Sequence, residues 1–256
     1  MTNREITDVI EAVSPLALQE SWDNSGWQVG TPDAECRGVL LCVDVTPEIL
    51  REAEKLGCNL VISHHPLIFK GLKQITGRNR VERCVALAFE KGIAVYSSHT
   101  ATDCAPAGVS WEMAKMLGLT GTELLDASGL GVIGNLPKAL PWREFVAKVK
   151  SVFGAEAVRC SRVPFDDYTV GRVGLCGGSA AEFMPEALAR GAQAYVTADY
   201  KLNQFLDYAD DIFLVDSGHF ETEQCTKEIF YRAICEKFPN FAVWKSGVER
   251  NPVVSL

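Results

Sequence analysis

Apolar and polar residues follow one another in a pattern that alternates predicted helices with predicted strands. Apolar side chains recur at helical spacing from Ile6 to Val13. This spacing predicts a first helix over residues 3–14, and Pro15 ends it because proline cannot continue the helical hydrogen bonding.

The next elements have the order strand, helix, strand. The continuous apolar run over residues 38–44 has the length of a buried strand. Thr46 can cap a helix that has Pro47 in its first turn, and Gly57 closes this helix. Leu60–Ser63 is then a second buried strand. The fold class predicted from this alternation is α/β.

A later part of the chain repeats the same plan. The segment from Leu175 can be laid without gaps over the segment from Leu41, and leucine, cysteine, glutamate, alanine and glycine recur at matching positions. In each half an apolar strand then leads to a histidine, with residues 93–98 before His99 and residues 212–216 before His219. We interpret the repeat as an internal duplication of one α/β module.

The duplication suggests two domains. We predict a first α/β module over residues 1–125 and a second over residues 126–256, with the option that the C-terminal end returns to the first module. The boundary is placed near residues 121–134, because residues 128–136 are glycine-rich and typical of a turn.

Composition restricts the function. The 256 residues are 47% hydrophobic and 23% charged, which suffices for one large core or two modest ones. The net charge of -8 and the lack of a basic run argue against nucleic acid as a partner. A small anionic substrate held by a metal ion stays compatible with this charge.

Cysteine usage and the N-terminus indicate a cytoplasmic protein. The nine cysteines are an odd number without a C-x-x-C pair, so we expect buried, reduced thiols. The first residues lack the apolar region of a secretory signal, and no apolar run is long enough to cross a bilayer. We therefore expect no membrane association.

The candidate chemistry lies at the four histidines. They are His64, His65, His99 and His219, and carboxylates follow the last two closely. Imidazole with carboxylate is a ligand set for divalent metals. Three of the predicted strands end at these histidines. Loops at the carboxyl ends of strands converge in α/β folds, so the histidines are expected to meet.

Spacing favours a centre of two metal ions. His99 and His219 are each followed four residues on by a carboxylate, Asp103 and Glu223 respectively. The adjacent His64 and His65 can reach two different ions more easily than one. The resulting set of imidazoles and carboxylates fits two ions bridged by a carboxylate.

Several residues keep two interpretations. His99 can bind metal or can orient Asp103 without touching the ion. Cys104 can be a soft ligand, although packing as a neutral thiol fits better. Asp199 occupies the repeat position of His65 and can line the same cleft or be a surface carboxylate.

Two segments also stay open. The sequence S-W-D-N-S-G-W-Q-V-G, which contains Trp22 and Trp27, can be a capped turn that covers the core or can contact substrate. The sequence Gly177-Gly178-Ser179 follows a strand and can bind an anion through backbone amides, but it lacks the complete glycine motifs of nucleotide-binding loops.

Seven motifs in this order resemble the GTP cyclohydrolase I type 2-like family, which includes the NGG-interacting factors. They are W-D-N-S-G-W-Q-V-G, D-V-T-P-E-I-L, S-H-H-P-L-I-F, S-H-T-A-T-D, L-C-G-G-S, T-A-D-Y-K and D-S-G-H-F-E-T-E. The resemblance implies two intertwined three-layer α/β/α modules, a dinuclear metal centre and a ring-shaped homohexamer. The ligands that it implies are His64, His65, Asp103, His219 and Glu223, with His99 close by.

The leading functional hypothesis is a metal-dependent hydrolase of a nucleotide or related small molecule, with two divalent ions drawn from Zn, Mn, Fe, Ni or Mg. His99 and Glu223 are its candidate catalytic residues. The alternative is a metal-binding scaffold or regulatory protein without turnover, because both functions need the same ligands.

Overall fold

The computed structural model describes residues 1–255, which form two compact units. Unit 1 comprises Met1–Ala105 and Thr226–Arg250, and unit 2 comprises Pro106–Cys225 with residues 251–255. The chain therefore leaves unit 1 after Ala105, forms most of unit 2, returns to unit 1 at Thr226, and enters unit 2 again at Asn251. Helices and strands are numbered in chain order across both units.

Unit 1 contains a five-stranded sheet between two layers of helices. Its strands are β1 (Gly26–Val29), β2 (Val39–Cys42), β3 (Leu60–Ser63), β4 (Ala94–Ser97) and β11 (Val243–Lys245), in the spatial order β1-β4-β3-β2-β11. Its helices are α1 (Asn3–Val13), α2 (Pro47–Lys55), α3 (Arg80–Lys91), α4 (Thr100–Asp103) and α10 (Thr226–Lys237). Strand β1 runs antiparallel to its neighbour β4, and the other neighbouring strands of this sheet are parallel.

Successive strand residues fill two separate cores. Leu40 packs with α2 and α3 on one face, while Leu41 packs with α1 and α10 on the other, because neighbouring side chains of a strand point to opposite faces. A sheet buried on both faces needs the continuous apolar runs from which its strands were predicted. The predicted α/β class is confirmed, and unit 1 has three α/β/α layers.

The predicted helix ends in unit 1 are also confirmed. Thr2 caps α1 by accepting a hydrogen bond from the Glu5 amide, and Ser14 is its last cap residue. Thr46 caps α2 by accepting from the Ile49 amide, and Gly57 follows in a left-handed conformation with φ of 74°. Local sequence thus determines where these helices begin and end.

A buried carboxylate holds the loop that leads into α3. Glu82 Oε2 accepts hydrogen bonds from the Thr76 amide at 2.9 Å, the Thr76 hydroxyl at 2.8 Å and the Arg78 amide at 3.1 Å. Its Oε1 accepts from the Asn79 side-chain amide at 2.8 Å. These hydrogen bonds, with that of the Thr76 amide first, lower the pKa of Glu82 below its ordinary value of 4.5.

We expect Glu82→Gln to have a lower melting temperature than the wild type at neutral pH. A carboxylate with a depressed pKa contributes stability above about pH 4.5, and this stability is lost as the pH falls through the pKa of the folded state. The difference between the two proteins should therefore shrink in acid. Thermal unfolding followed by circular dichroism checks this, with the exposed Glu90→Gln as control. An unchanged difference in acid would contradict it.

Unit 2 contains a six-stranded mixed sheet. Its strands are β5 (Thr120–Leu124), β6 (Val132–Pro141), β7 (Arg159–Cys160), β8 (Thr169–Leu175), β9 (Ala194–Thr197) and β10 (Phe213–Asp216), in the order β5-β6-β8-β9-β10-β7. Its helices are α5 (Val109–Leu117), α6 (Trp142–Phe153), α7 (Met184–Ala189), α8 (Leu202–Tyr208) and α9 (His219–Glu223). Helices α5 and α6 cover one face and α7 and α8 the other, so this unit also has three layers.

The glycine-rich segment between the halves belongs to the sheet of unit 2. Strands β5 and β6 form an antiparallel pair, and Gly129 and Gly131 between them have positive φ. The turn predicted over residues 128–136 is wrong from Val132 onward, because that part is the buried start of β6. The prediction failed because glycines are frequent on both sides of this turn, and the neighbouring strand β5 is largely exposed, so its sequence lacks the apolar run of a buried strand.

The two units share one sequence of elements. In unit 1, β2 and β3 are parallel and joined through α2, and in unit 2, β8 and β9 are parallel and joined through α7. This agreement is consistent with the repeat read from the sequence, and the duplication itself stays a prediction. None of the helices within residues 1–255 has the length and apolar character needed to cross a membrane.

Candidate metal centre

Three imidazoles of unit 1 meet at one edge of its sheet. His64 and His65 directly follow β3, and His99 follows the neighbouring parallel strand β4. The ring centroids are 5.0 Å apart for His64 and His65, 5.2 Å for His64 and His99, and 5.4 Å for His65 and His99. Ligand atoms of the three rings lie within 4.8 Å of one another, which is close enough to surround one metal ion.

Each ring in this cluster is oriented through its Nδ1 atom. His64 Nδ1 lies 3.1 Å from the Ser98 carbonyl oxygen, which can only accept, so this nitrogen donates. His65 Nδ1 lies 3.2 Å from Asp44 Oδ2, and His99 Nδ1 lies 2.8 Å from Asp23 Oδ1. With Nδ1 engaged by an acceptor, Nε2 is the nitrogen that a metal ion would use, which is the usual arrangement of metal-binding histidines.

The predicted carboxylate Asp103 reaches the same cluster. It is the last residue of the short helix α4, which begins directly after His99. Its Oδ1 lies 3.7 Å from His64 Nε2, and His64 itself is completely buried. The structure therefore brings the side chains of His64, His65, His99 and Asp103 close together.

A tight turn before β1 fixes His99. The Asp23 side chain is fully buried and accepts hydrogen bonds from the Ser25 hydroxyl at 2.9 Å and the Thr100 amide at 3.1 Å, in addition to His99. Burial raises the pKa of Asp23, but hydrogen bonds from His99 and Thr100 and the charge of His99 outweigh it, so the pKa lies well below its ordinary value. Asp23 is therefore an ionised acceptor for the His99 ring.

We expect Asp23→Asn to weaken binding of divalent metal by about 10–100-fold, the usual effect of a change in the shell around the ligands, because the His99 ring that Asp23 orients packs against His64 and His65. The amide can present its NH₂ group to Nδ1 and so favour the wrong tautomer of His99. Titration of the metal-depleted protein with Zn²⁺ checks this. Asp33→Asn, at a carboxylate that forms an exposed ion pair with Arg4, is the control and should bind as the wild type does. Equal affinity in the two variants would contradict the role of Asp23.

The second predicted pair lies in unit 2. His219 and Glu223 lie one turn apart on α9, with His219 Nε2 at 3.2 Å from Glu223 Oε1. His219 Nδ1 lies 2.7 Å from Asp199 Oδ2, so this ring is oriented in the same way as the others. Asp199 has a positive φ of 58°, which is costly outside glycine and is typical of functional positions. Asp199 is thus a positioning residue for His219.

The glycine-rich turn after β8 packs against His219 and Glu223. Gly178 has φ of +64°, and a Cβ atom there would overlap Glu223 Oε1. Its amide donates to the Thr222 hydroxyl at 3.0 Å, and the Ala180 amide donates to the Thr197 hydroxyl at 3.2 Å. The Gly178 amide already has a partner in the protein and its missing Cβ makes room for Glu223, so packing accounts for Gly178 without a bound anion.

Comparison with known proteins agrees with the resemblance in the motifs. A family model for Duf34/NIF3 (NGG1p interacting factor 3) matches residues 1–252. The chain belongs to the Duf34/NIF3 family. The chain is similar to the GTP cyclohydrolase 1 type 2 homolog of Lactococcus lactis, with 33% identity over 255 residues, which are 96% of each chain. It is also similar to the Protein NIF3 homolog of Schizosaccharomyces pombe, with 29% identity over 98% of this chain and 94% of that protein.

Solved structures show the same fold for this member of the Duf34/NIF3 family. A Bacillus cereus protein related to NIF3 superposes with a TM-score of 0.94, is 23% identical, and covers 100% of this chain and 99% of its own. A Staphylococcus aureus protein superposes with a TM-score of 0.92 at 26% identity, again over 100% of this chain and 99% of that one.

The structure of this family member decides two predicted alternatives. Cys104 is buried, and its sulfur is not among the clustered ligand atoms of His64, His65 and His99, so it packs as a thiol. Burial and then the charge of Asp103 raise its pKa to about 12. Trp27 packs edge-on against Tyr96 at 5.3 Å and joins the core, whereas Trp22 is 58% exposed. The capped-turn interpretation is therefore right for Trp27.

Sequence reasoning missed two orienting residues, Asp23 and Asp44. Asp44 closes the apolar run that contains β2 and holds His65, yet no motif or spacing along the chain pairs it with a histidine. The available signal was its place at a strand end, the same place that marked the histidines. Asp44 also lies 3.9 Å from the Arg80 guanidinium, which anchors its other oxygen.

Proposed function

We propose that the protein is a hydrolase that uses two divalent metal ions to act on a nucleotide or a related small molecule. The single observation that carries the proposal is the set of three imidazoles with ligand atoms within 4.8 Å, each oriented by a hydrogen bond at Nδ1. A hydrogen bond at Nδ1 leaves Nε2 available, which a metal ligand needs and which a histidine that accepts a proton also needs. The name of the Lactococcus lactis relative supports a nucleotide as substrate.

The proposed ligands are those predicted from the sequence: His64, His65, Asp103, His219 and Glu223. Nitrogen and carboxylate oxygen donors without thiolate suit Zn, Mn, Fe or Ni, and Mg through the carboxylates. Such ions, when bound, supply a Lewis acid that polarises the bond to be hydrolysed. The remaining chemistry comes from the side chains.

We propose His99 and Glu223 as the groups that move protons. His99 Nε2 can take a proton from the attacking water, and the Asp23 carboxylate behind it stabilises the imidazolium that forms. The Glu223 carboxylate is 3% exposed and lies against the His219 ring, so it can accept a proton in a site largely closed to water. Both roles need the orientation that Asp23 and Gly178 provide.

Turnover with defined metals tests this function. Metal-depleted protein is reloaded separately with Mn, Fe, Zn or Ni and assayed with GTP and a panel of phosphoesters. We expect turnover that depends on the metal, is lost in Glu223→Ala and persists in Glu186→Ala, where a half-buried carboxylate on α7 is removed. Bound metal without turnover on any substrate would contradict the hydrolase and favour the scaffold or regulatory alternative.

We also propose the ring-shaped homohexamer that the family resemblance implied. Native mass spectrometry of the purified protein checks the assembly, since each chain contributes 28.0 kDa. A monomer at micromolar concentration would contradict it.

A further inference from the structure

Two exposed aromatic rings stand beside His99. Trp22 is 58% exposed and Phe69 is 46% exposed, and their rings meet edge to face with centroids 6.0 Å apart. The His99 ring lies 6.1 Å from Trp22 and 6.3 Å from Phe69. Single exposed aromatic residues are common, but these two contact each other and also the candidate proton-transfer residue, so we read them as a contact surface for a ligand.

The backbone holds these two rings in place. The Asn24 side-chain amide donates to the Ile68 carbonyl at 2.6 Å, and the Ile68 amide donates to Gln28 Oε1 at 3.1 Å. These two hydrogen bonds fasten the segment that carries Trp22 to the segment that carries Phe69. Because the two segments are already joined, a flat ligand ring that stacks on Trp22 and Phe69 would not have to order the backbone between them.

Phe69 also lines a cavity with basic walls. It has a volume of about 490 Å³, and its lining includes Pro66, Phe69, Lys70, Lys73, Arg80 and Glu82. Lys70 and Lys73 are exposed, while the Arg80 guanidinium donates to the Val45 carbonyl at 2.5 Å and faces Asp44. The Glu82 carboxylate is turned into the loop by its own hydrogen bonds.

The charge of this wall differs from that of the whole chain. The protein carries a net charge of -8, yet the cavity lining contains Lys70, Lys73 and Arg80 against one carboxylate. A concentration of lysines in an otherwise acidic protein favours an anion at that place, and phosphate is the anion that lysine binds as a point charge.

We propose that this surface binds a phosphorylated planar heterocycle, with its ring on Trp22 and Phe69 and its phosphate in the cavity beside Lys70 and Lys73. The inference rests on the proposed function, because it assigns the substrate class of the same site. The ring lies against His99, where the proposed chemistry takes place. The pair of contacts distinguishes a nucleotide from a nucleoside, which lacks the phosphate, and from a sugar phosphate, which lacks the ring.

Binding without turnover tests the assignment. The protein is titrated with guanosine 5′-monophosphate, guanosine and ribose 5-phosphate while tryptophan fluorescence is recorded. We expect the monophosphate to bind most tightly and to quench fluorescence. The quenching should be lost in Trp22→Phe and kept in Trp244→Phe, which removes a tryptophan that is 49% exposed on β11.

Truncation variants separate the two contacts. Phe69→Ala should weaken monophosphate binding about tenfold, in the range of one stacked base, and Phe89→Ala, at an exposed ring on α3, should not. The double variant Lys70→Gln, Lys73→Gln should weaken binding of the monophosphate about tenfold and leave binding of guanosine unchanged. The matched control is the double variant Lys148→Gln, Lys150→Gln on α6, which should bind the monophosphate as the wild type does. Circular dichroism confirms that each variant is folded.

The outcomes distinguish this inference from the proposed function. Monophosphate binding that depends on Trp22, Phe69 and the two lysines, without turnover on any metal, supports the binding site while the hydrolase fails. Turnover of phosphoesters with equal binding in the test and control variants overturns the binding site while the hydrolase stands. Failure of all three probes to bind the wild type also overturns the inference.

Discussion

Replacement of His64 by alanine should lower the affinity for divalent metal more than any other single change in unit 1, by more than about a hundredfold. His64 is completely buried, its Nδ1 is held by the Ser98 carbonyl, and its Nε2 faces Asp103. Its ring contacts both His65 and His99, so its loss removes a ligand and the support of two others. Calorimetric titration of the metal-depleted protein measures the change.

A second core substitution separates ligand loss from a simple cavity. Leu67→Ala also removes a buried side chain close to His64 in the chain, and both changes should cost about 2–5 kcal/mol of unfolding free energy. Only His64→Ala should change metal affinity. If Leu67→Ala lost the metal to the same degree, the effect would come from general destabilisation and the role of His64 as a ligand would be wrong.

Alanine at Gly178 should have the second largest effect. The new Cβ atom would overlap Glu223 Oε1 and lie 3.2 Å from His219 Nε2, which is too close for the Glu223 carboxylate to stay in place. The left-handed φ of +64° adds strain of about 1 kcal/mol or more for a residue with a Cβ. We expect both a loss of stability and the loss of Glu223-dependent turnover.

Gly191→Ala provides a matched control for this strain. Gly191 has φ of +74°, but nothing lies within 4 Å of the position that a Cβ atom would take there, so the variant has the strain without the clash. Urea unfolding should show a loss of stability in both variants, larger in Gly178→Ala. Turnover should fall only in Gly178→Ala. Equal turnover in the two variants would contradict the packing of Gly178 against the catalytic carboxylate.

Local patterns were sufficient to find the histidines and the pair on α9. Each of His64 and His99 follows a continuous apolar strand, and strand ends in a parallel sheet meet at one edge. The spacing of His219 and Glu223 matches one helical turn, and α9 places Nε2 and Oε1 3.2 Å apart. These inferences need only hydrophobic periodicity and residue spacing, and both can be read directly from one sequence.

The orienting carboxylates depend on pairings that sequence spacing does not encode. Asp44 meets His65 because β2 and β3 align Cys42 with Ser63, and a different register would separate the two side chains. Asp23 meets His99 because β1 pairs antiparallel with β4, with Gly26 opposite Ser97. Both contacts are set by strand register between distant segments, so a single sequence shows the residues but not their partners.

Metal analysis of the protein as isolated, by mass spectrometry of its elemental content, tests the central claim that the oriented imidazoles bind divalent ions. We predict about two transition-metal ions per chain, with a marked loss in the His64→Ala variant and none in Leu67→Ala. Wild-type protein without bound metal, which also takes up none on titration with Zn²⁺ or Mn²⁺, would contradict the claim.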